Sequence, residues 1–260
     1  MGKRDLEQAR ILEERFAEHA DAGRAQEALA AIDEAIDLRR QDSQDSQGGQ
    51  DDAASLNALA NALYSRSLVL AATDGSQAAL EAIGEATGIW RQVTEKDQAI
   101  GMPNLALALT AMSDQQAAAG DDEAALTSVD EAVKIYTFLQ GVVPDQAMLP
   151  TASALGGQAI IRFRMGDHTG ALEAMTEAVT TVRMLAVQDP EPHRDPLAVA
   201  LNNLATLQVR AGEIAAAVGT LEEVATIVSK LTDTEPDVYK PVLDTVLANL
   251  QQARAHAAAS

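Results

Sequence analysis

The apolar residues of this chain recur at the spacing of one face of an α-helix, and short turns interrupt the pattern at regular intervals. Five turn residues, which we call the anchors, each separate two helical segments. They are Gly23, Asp74, Gly120, Gly166 and Gly212. The steps between them are 51, 46, 46 and 46 residues. Three equal steps indicate an internal repeat in which each unit is a pair of helices, A before the anchor and B after it.

The same residue types stand at fixed distances from each anchor. Eleven residues before it the sequence has Leu12, Leu63, Leu109, Leu155 and Leu201. Five residues after it come Ala28, Ala79, Ala125, Ala171 and Ala217, and eleven after it come Glu34, Glu85, Glu131, Glu177 and Glu223. Seven before it the residue is small in four units, as Ser67, Ser113, Ala159 and Ala205. Recurring small residues predict helices that pack closely against each other.

These patterns predict eleven helices, at roughly 4–21, 24–41, 52–73, 76–94, 103–119, 121–141, 149–165, 167–187, 196–211, 213–232 and 238–257. The starts of the later A helices are taken from Pro103, Pro150, Pro196 and Pro241, since proline is tolerated in a first turn. Helix eleven has no B partner, and Leu247 occupies its recurring leucine position. It is therefore predicted to cap the last pair.

One segment does not fit the repeat. Residues 41–52 contain four Asp, two Gly and no apolar residue, and they account for the longer first step. The composition predicts a flexible acidic loop inside a single domain that spans 1–260.

The recurring leucine, the small residues of both helices and the turn between them resemble the tetratricopeptide repeat. The 46-residue unit is longer than the usual one of about 34, and is similar to the extended repeats common in actinobacterial proteins. The resemblance implies an all-α fold, a right-handed α-solenoid of about five helix-turn-helix repeats plus a C-terminal capping helix. A HEAT-like solenoid is the structural alternative, because its repeat length also fits.

Composition and charge narrow the choice of partner. Hydrophobic residues make up 47% of the chain but aromatic residues only 3%, which favours packed helices. A formal net charge of −20 opposes binding to nucleic acid and to anionic membranes. There is no cysteine, no apolar stretch of membrane-spanning length and no signal-peptide pattern. We expect a cytoplasmic protein.

The sequence offers no pattern for catalysis. Phosphate-binding, dinucleotide-binding and hydrolase motifs are absent, and none of the four histidines has another histidine four residues away. Paired acids near helix starts are explained by the helix dipole and by solubility. We therefore predict no enzyme activity, no metal and no cofactor.

In the tetratricopeptide architecture the A helices line a concave groove, so the resemblance implies which residues face a partner. Aligned by their anchors, they are Asn61, Tyr64, Leu68, Thr110, Asp114, Phe163, Arg164, Asn202, Thr206 and Arg210. The chain is predicted to be a scaffold that holds a peptide or helix of another protein, basic overall because of the acidic charge. The alternative is a ligand- or peptide-sensing regulatory module. The sequence makes no prediction of oligomeric state.

Overall fold

The structure, a computed structural model, describes residues 3–46, 52–73 and 76–259. Eleven α-helices occupy 92% of these residues, and none of them lies in a β-strand. The prediction of an all-α helical repeat is confirmed. No helix in the described ranges combines the length and the apolar character needed to cross a membrane.

The helices follow one another with short connections. They are α1 Lys3–Asp21, α2 Ala25–Asp45, α3 Asp52–Ala72, α4 Ser76–Lys96, α5 Gln98–Ala118, α6 Asp122–Gln140, α7 Pro144–Arg164, α8 His168–Gln188, α9 Pro190–Arg210, α10 Ile214–Thr234 and α11 Pro236–Ala259. Odd-numbered helices are A helices and even-numbered ones are B helices. Helix α11 follows the fifth pair and packs on α10.

The anchors form the turns between A and B helices. Four anchor glycines have positive φ, from 70° at Gly23 to 88° at Gly166, a conformation that favours glycine. At Gly120 the N–H of Asp121 donates to the carbonyl oxygen of Gln116 at 2.9 Å, the bond of a Schellman cap. The same bond recurs after the other three glycines. The remaining anchor, Asp74, lies outside the described residues.

The recurring columns form the core. The five leucines before the anchors are at most 3% exposed, and the five alanines after them are fully buried. In one pair the Ser113 hydroxyl donates to the carbonyl oxygen of Ala125 at 2.8 Å, because the small side chains let the two helices approach closely. The capping helix differs from this scheme. It packs on α10 through Leu250 and Ala253, whereas Leu247 is 46% exposed.

The predicted starts of three A helices were wrong. The structure begins α5, α7 and α9 five or six residues earlier than predicted, whereas α11 begins two residues earlier. Pro103, Pro150, Pro196 and Pro241 lie inside these four helices. Three start instead at Pro144, Pro190 and Pro236. An internal proline removes one backbone hydrogen bond, but the added turn packs against the preceding helix. In α5 a Cβ on Gly101 would collide with the backbone of Thr94.

The segment predicted as a loop over 41–52 is partly helical. Helix α2 continues through Asp45, and its residues Asp42 and Ser43 are buried. Helix α3 begins at Asp52, whose carboxylate lies 2.9 Å from the ammonium group of Lys96. Residues 47–51 lie outside the described part of the chain.

The helices group into two compact units, residues 1–135 and 136–260. Unit 1 contains α1 to α5 and most of α6. Unit 2 contains the end of α6 and α7 to α11. Each unit has its own set of buried columns, and the predicted functional residues are shared between them.

Candidate functional site

All ten residues predicted to face a partner lie on A helices. Unit 1 carries Asn61, Tyr64 and Leu68 on α3, and Thr110 and Asp114 on α5. Unit 2 carries Phe163 and Arg164 on α7, and Asn202, Thr206 and Arg210 on α9. The two sets have different surroundings.

In unit 1 one of the predicted residues, Tyr64, packs on a buried tryptophan. The Trp90 ring on α4 is fully buried between α3 and α5, and its centroid lies 5.8 Å from that of Tyr64, edge to face. Such a pair adds roughly 0.5–1.5 kcal/mol beyond its area burial. Half-buried Tyr64 is therefore held by the core, while Leu68, one helical turn further along α3, remains 46% exposed.

A hydrogen-bond network joins α3, α4 and α5 beneath this surface. The Asn57 side-chain oxygen accepts from the Trp90 indole N–H at 3.0 Å and from the Asn104 amide at 3.1 Å. Asn104 also donates to the carbonyl oxygen of Ile100 at 2.9 Å. Sequence reasoning missed both asparagines. The available signal was spacing, since Asn57 precedes Tyr64 by two helical turns on the same face of α3.

The pKa values of Tyr64 and Asp114 are both raised. Burial, followed by the negative charge of Asp114, raises the pKa of the Tyr64 hydroxyl. Loss of hydration also raises the pKa of the Asp114 carboxyl, although part of that side chain stays exposed. Thr110 directs its hydroxyl to the carbonyl oxygen of Ala106 in its own helix. The unit 1 surface thus offers a phenol and a carboxylate flanked by an exposed leucine.

In unit 2 an open cleft of about 520 Å³ lies between α9 and α11, above α10. Asn202, Thr206 and Arg210 of α9 form one wall, so three predicted residues come together here. The opposite wall comes from α11. The α11 side chains are Asn249, Gln252 and His256, and the lining between the walls includes Ala205, Leu221 and Ala253.

A second cleft of about 470 Å³ continues along the same two helices. Asn202 and Asn249 line both clefts, so they mark the junction. The other residues of the second cleft are mainly apolar, and include Val199, Val224, Val228, Val242 and Val246. We call the two clefts together the α9–α11 groove, with a polar part at Arg210 and an apolar part at Val228.

Aromatic side chains border each end of the groove. The Arg210 guanidinium carbon lies 5.9 Å from the Phe163 ring centroid, within range of a cation–π interaction. Phe163 in turn stacks at a tilt on His168, with 4.5 Å between ring centroids. At the apolar end, desolvation and then the charge of Asp195, which accepts its hydrogen bond, raise the pKa of the Tyr239 hydroxyl.

Arg210 is the cation that the groove presents. Among the described residues, no acidic side chain lies within ion-pair distance of its guanidinium group. Thr206 directs its hydroxyl to the carbonyl oxygen of Asn202 at 2.9 Å, which leaves the hydroxyl oxygen able to accept a bond. Arg164 is exposed on α7 and is not among the lining residues of either cleft. A negatively charged ligand group would therefore meet Arg210 first.

The residues of α11 were not predicted, because its pattern indicated a cap and nothing more. Asn249, Gln252 and His256 are polar and exposed, as surface residues of any helix would be. Only the packing of α11 beside α9 brings them opposite the predicted residues. Within the described ranges, no group of three or more histidine or acidic side chains is arranged to hold a metal ion.

The helical pairs, the glycine turns and the small-residue columns define a helical repeat protein of the tetratricopeptide-like class. The family model described as anaphase-promoting complex subunit 5 matches residues 9–51, 146–189 and 188–236, together just over half of the sequence. The chain belongs to this family of helical repeats. No curated protein matches the sequence.

Solved structures share the fold at low sequence identity. The apo form of RapI aligns with a TM-score of 0.66 and 11% identity, covering 95% of this chain and 83% of RapI. Nearly identical TPR-like repeats of a kinesin light chain from Podosopora anserina give 0.61 and 17%, covering 90% and 99%. BtubC (BKLC) from P. vanneervenii gives 0.59 and 13%, covering 89% and 93%. These similarities support the architecture alone.

Proposed function

We propose that this protein is an interaction module that binds a peptide or helix of another protein in the α9–α11 groove. The observation that carries the proposal is the arrangement of the groove. An apolar cleft and a cleft with an uncommitted arginine meet at two asparagines on facing helices. Binding of this kind requires no catalysis.

The groove has separate means to hold a backbone and side chains. Amide groups of Asn202 and Asn249 both donate and accept, so they can pair with peptide groups of a bound segment. The apolar cleft can take a hydrophobic side chain, and Arg210 can pair with one acidic group. A segment bound across the junction would thereby have a fixed direction.

The overall charge favours a partner that is basic apart from that acidic group. At a net charge of −20, long-range attraction accelerates association with a basic segment. The association rate should fall as added salt shortens the Debye length from about 10 Å to about 3 Å. We further propose that Tyr64 and Leu68 give unit 1 an apolar contact surface of its own, and that the protein acts in the cytoplasm.

The test uses matched variants as baits for affinity capture from native lysate. Gln252→Ala alters the groove, whereas Gln251→Ala removes the neighbouring exposed amide outside its lining. Likewise Arg210→Ala alters the groove, while Arg254→Ala removes an α11 arginine that pairs with Glu222 at 2.7 Å. A groove ligand should be captured by the wild type and both controls, and lost or weakened with both groove variants.

Kinetics on the identified partner then test the role of the cation. Arg210→Ala should weaken binding by about tenfold, mainly through faster dissociation, since a charge-assisted bond contributes about 1.5–3 kcal/mol. Adding Arg164→Ala tests whether that arginine contributes from α7. Unchanged affinity in both Arg210→Ala and Gln252→Ala would exclude the groove as the binding surface.

A ligand-sensing regulator is the second candidate, and the cleft volume favours it. Clefts of about 520 and 470 Å³ fall within the range of roughly 300–1,000 Å³ that is typical of small-molecule sites. A thermal-stability screen separates the two functions. A metabolite that raises the melting temperature of the wild type, but not of Gln252→Ala, would support the sensor. A shift seen only with a protein partner would support the scaffold.

A further inference from the structure

A ladder of ion pairs links successive B helices on the face opposite the A helices. An arginine seventeen residues after one anchor pairs with the recurring glutamate eleven residues after the next. The pairs are Arg40–Glu85 at 2.9 Å, Arg91–Glu131 at 2.6 Å and Arg183–Glu223 at 2.9 Å. The repeated geometry shows that a cation fits beside this glutamate wherever the ladder is complete.

One rung of the ladder is missing. The position seventeen residues after Gly120 is Thr137, which cannot form the pair with Glu177 of α8. In the part of the chain that the structure describes, no basic group lies within 4.0 Å of the Glu177 carboxylate. Glu173, one turn earlier on α8, is likewise exposed and unpaired among the described residues. A basic side chain of a partner could therefore pair with the Glu177 carboxylate without displacing a basic side chain of the described residues.

Exposed apolar side chains lie on the same two helices. Phe138 of α6 is 57% exposed and Val142 in the turn after it 64%, while Met184 and Val187 of α8 are 49% and 79% exposed. In α4 and α10 the positions equivalent to Met184 hold the polar residues Gln92 and Lys230. The positions equivalent to Val187 hold Glu95 and Asp233. These exposed apolar residues thus lie on the two helices between which the ion pair is missing, and not at the equivalent positions of α4 and α10.

The surface around the two acids is recessed. A shallow depression of about 500 Å³ is lined by α8 residues Leu172, Glu173, Thr176, Glu177 and Thr180. From Glu177, Met184 is seven residues further along α8, which is two helical turns and about 10 Å. The face therefore presents, in order along α8, a recess that contains two unpaired acids and then an apolar end.

We propose that this face of α6 and α8 binds an amphipathic basic helix of another protein. An arginine or lysine of that helix completes the ladder by pairing with Glu177. A large apolar side chain about seven residues away packs on Met184 and Phe138. The surface is distinct from the α9–α11 groove, so both could be occupied together.

Charge complementarity decides the kind of occupant. Two copies of this chain each carry a net charge of −20 and repel each other, which disfavours a second copy as the occupant. A helix fits because its side-chain spacing matches that of α8. Clustered exposed apolar residues flanked by unpaired charges are typical of protein interaction sites.

The test uses the full-length chain and a synthetic helical peptide labelled with fluorescein. The peptide is alanine- and lysine-based, with an arginine seven residues before a leucine, and a second leucine three residues later. Thr137→Arg should supply the missing rung from within and weaken peptide binding about tenfold in fluorescence anisotropy. Glu177→Gln should weaken it similarly, and a peptide with glutamine in place of that arginine should be insensitive to either change.

Matched controls separate this surface from general charge effects. Glu223→Gln removes the same charge at a rung that already has its own Arg183, so binding should change less than twofold, about 0.4 kcal/mol. Met184→Ser should weaken binding without removing its salt dependence. Failure of the peptide to bind, equal effects of Glu177→Gln and Glu223→Gln, or loss of binding in Gln252→Ala would each overturn the proposal.

Discussion

The two units differ at two corresponding positions near the predicted site residues. Sixteen residues after its anchor, α4 has Trp90 whereas α10 has Val228. In unit 1 the indole fills the space between neighbouring A helices. Its N–H donates to Asn57, which also accepts from Asn104. In unit 2 the smaller Val228 lies at an open apolar cleft, and Val242 occupies the position that corresponds to Asn104.

The same arrangement of helix pairs therefore supports both a filled space and an open cleft between A helices. The columns that hold the helix pairs together are buried in both units. The position of Trp90 and Val228 lies between A helices and is not fixed by the packing of a single pair. The side chain at this position can therefore vary in size, and its size decides whether a groove is present.

The largest expected effect comes from opening the filled surface. Trp90→Val should lower the free energy of unfolding by about 3 kcal/mol or more, because it leaves a cavity and removes the donor to Asn57. Chemical denaturation would measure it. The matched change Val228→Ala should cost about 1 kcal/mol, since it removes two methyl groups beside an existing cleft. Equal losses in the two variants would show that the indole does not fill a distinctive space.

A second substitution tests the close packing of the helix pairs. Ala171 is fully buried in the column five residues after the anchor. Ala171→Leu should overpack α7 against α8 and destabilise unit 2 by about 1–3 kcal/mol. The melting temperature would record this, with Thr180→Leu on the exposed face of α8 as the control. An unchanged melting temperature would mean that this column is not tightly packed.

Closing the open groove should affect binding more than stability. Val228→Trp places an indole at the apolar cleft, as in unit 1, and should weaken binding of a groove ligand by at least about tenfold, or 1.4 kcal/mol. Isothermal titration of the captured partner would measure it. Circular dichroism must show retained helix content. If the variant binds normally, the apolar cleft is not used.

The smallest effect concerns the carboxylate of unit 1. Because the folded protein raises the pKa of Asp114, it holds this proton more tightly than the unfolded chain does. That contribution to stability is present below the unfolded pKa and is lost as pH rises through the raised folded value.

Asp114→Asn should therefore match the wild type near pH 3 and be slightly more stable at pH 7, within about 0.5 kcal/mol. Denaturant titrations across this range would test the difference. The substitution should also lower the pKa of Tyr64, which absorbance titration would show. A variant that is less stable at pH 7 would indicate that the Asp114 carboxylate forms a stabilising interaction.

Much of the fold could be predicted from the chain alone, because its determinants are local and repeated. Leucine and alanine columns at fixed offsets specify which faces of A and B pack. Glycine at an anchor such as Gly120 is needed where φ is positive. Helix starts were less predictable. A proline such as Pro196 indicates a first turn, yet packing against the preceding helix outweighs the hydrogen bond it removes.

The candidate site was predictable on one wall only. The repeat and the resemblance predicted Asn202, Thr206 and Arg210 together, and these three residues line one wall of the cleft. That Asn249 and His256 stand opposite them depends on how α11 packs on α10, and no local pattern encodes this distance. The sequence shows Thr137 where the equivalent positions of three other B helices have arginine. Only the tertiary structure shows that an arginine at this position pairs with a glutamate of the next B helix, so that Thr137 leaves Glu177 without that pair.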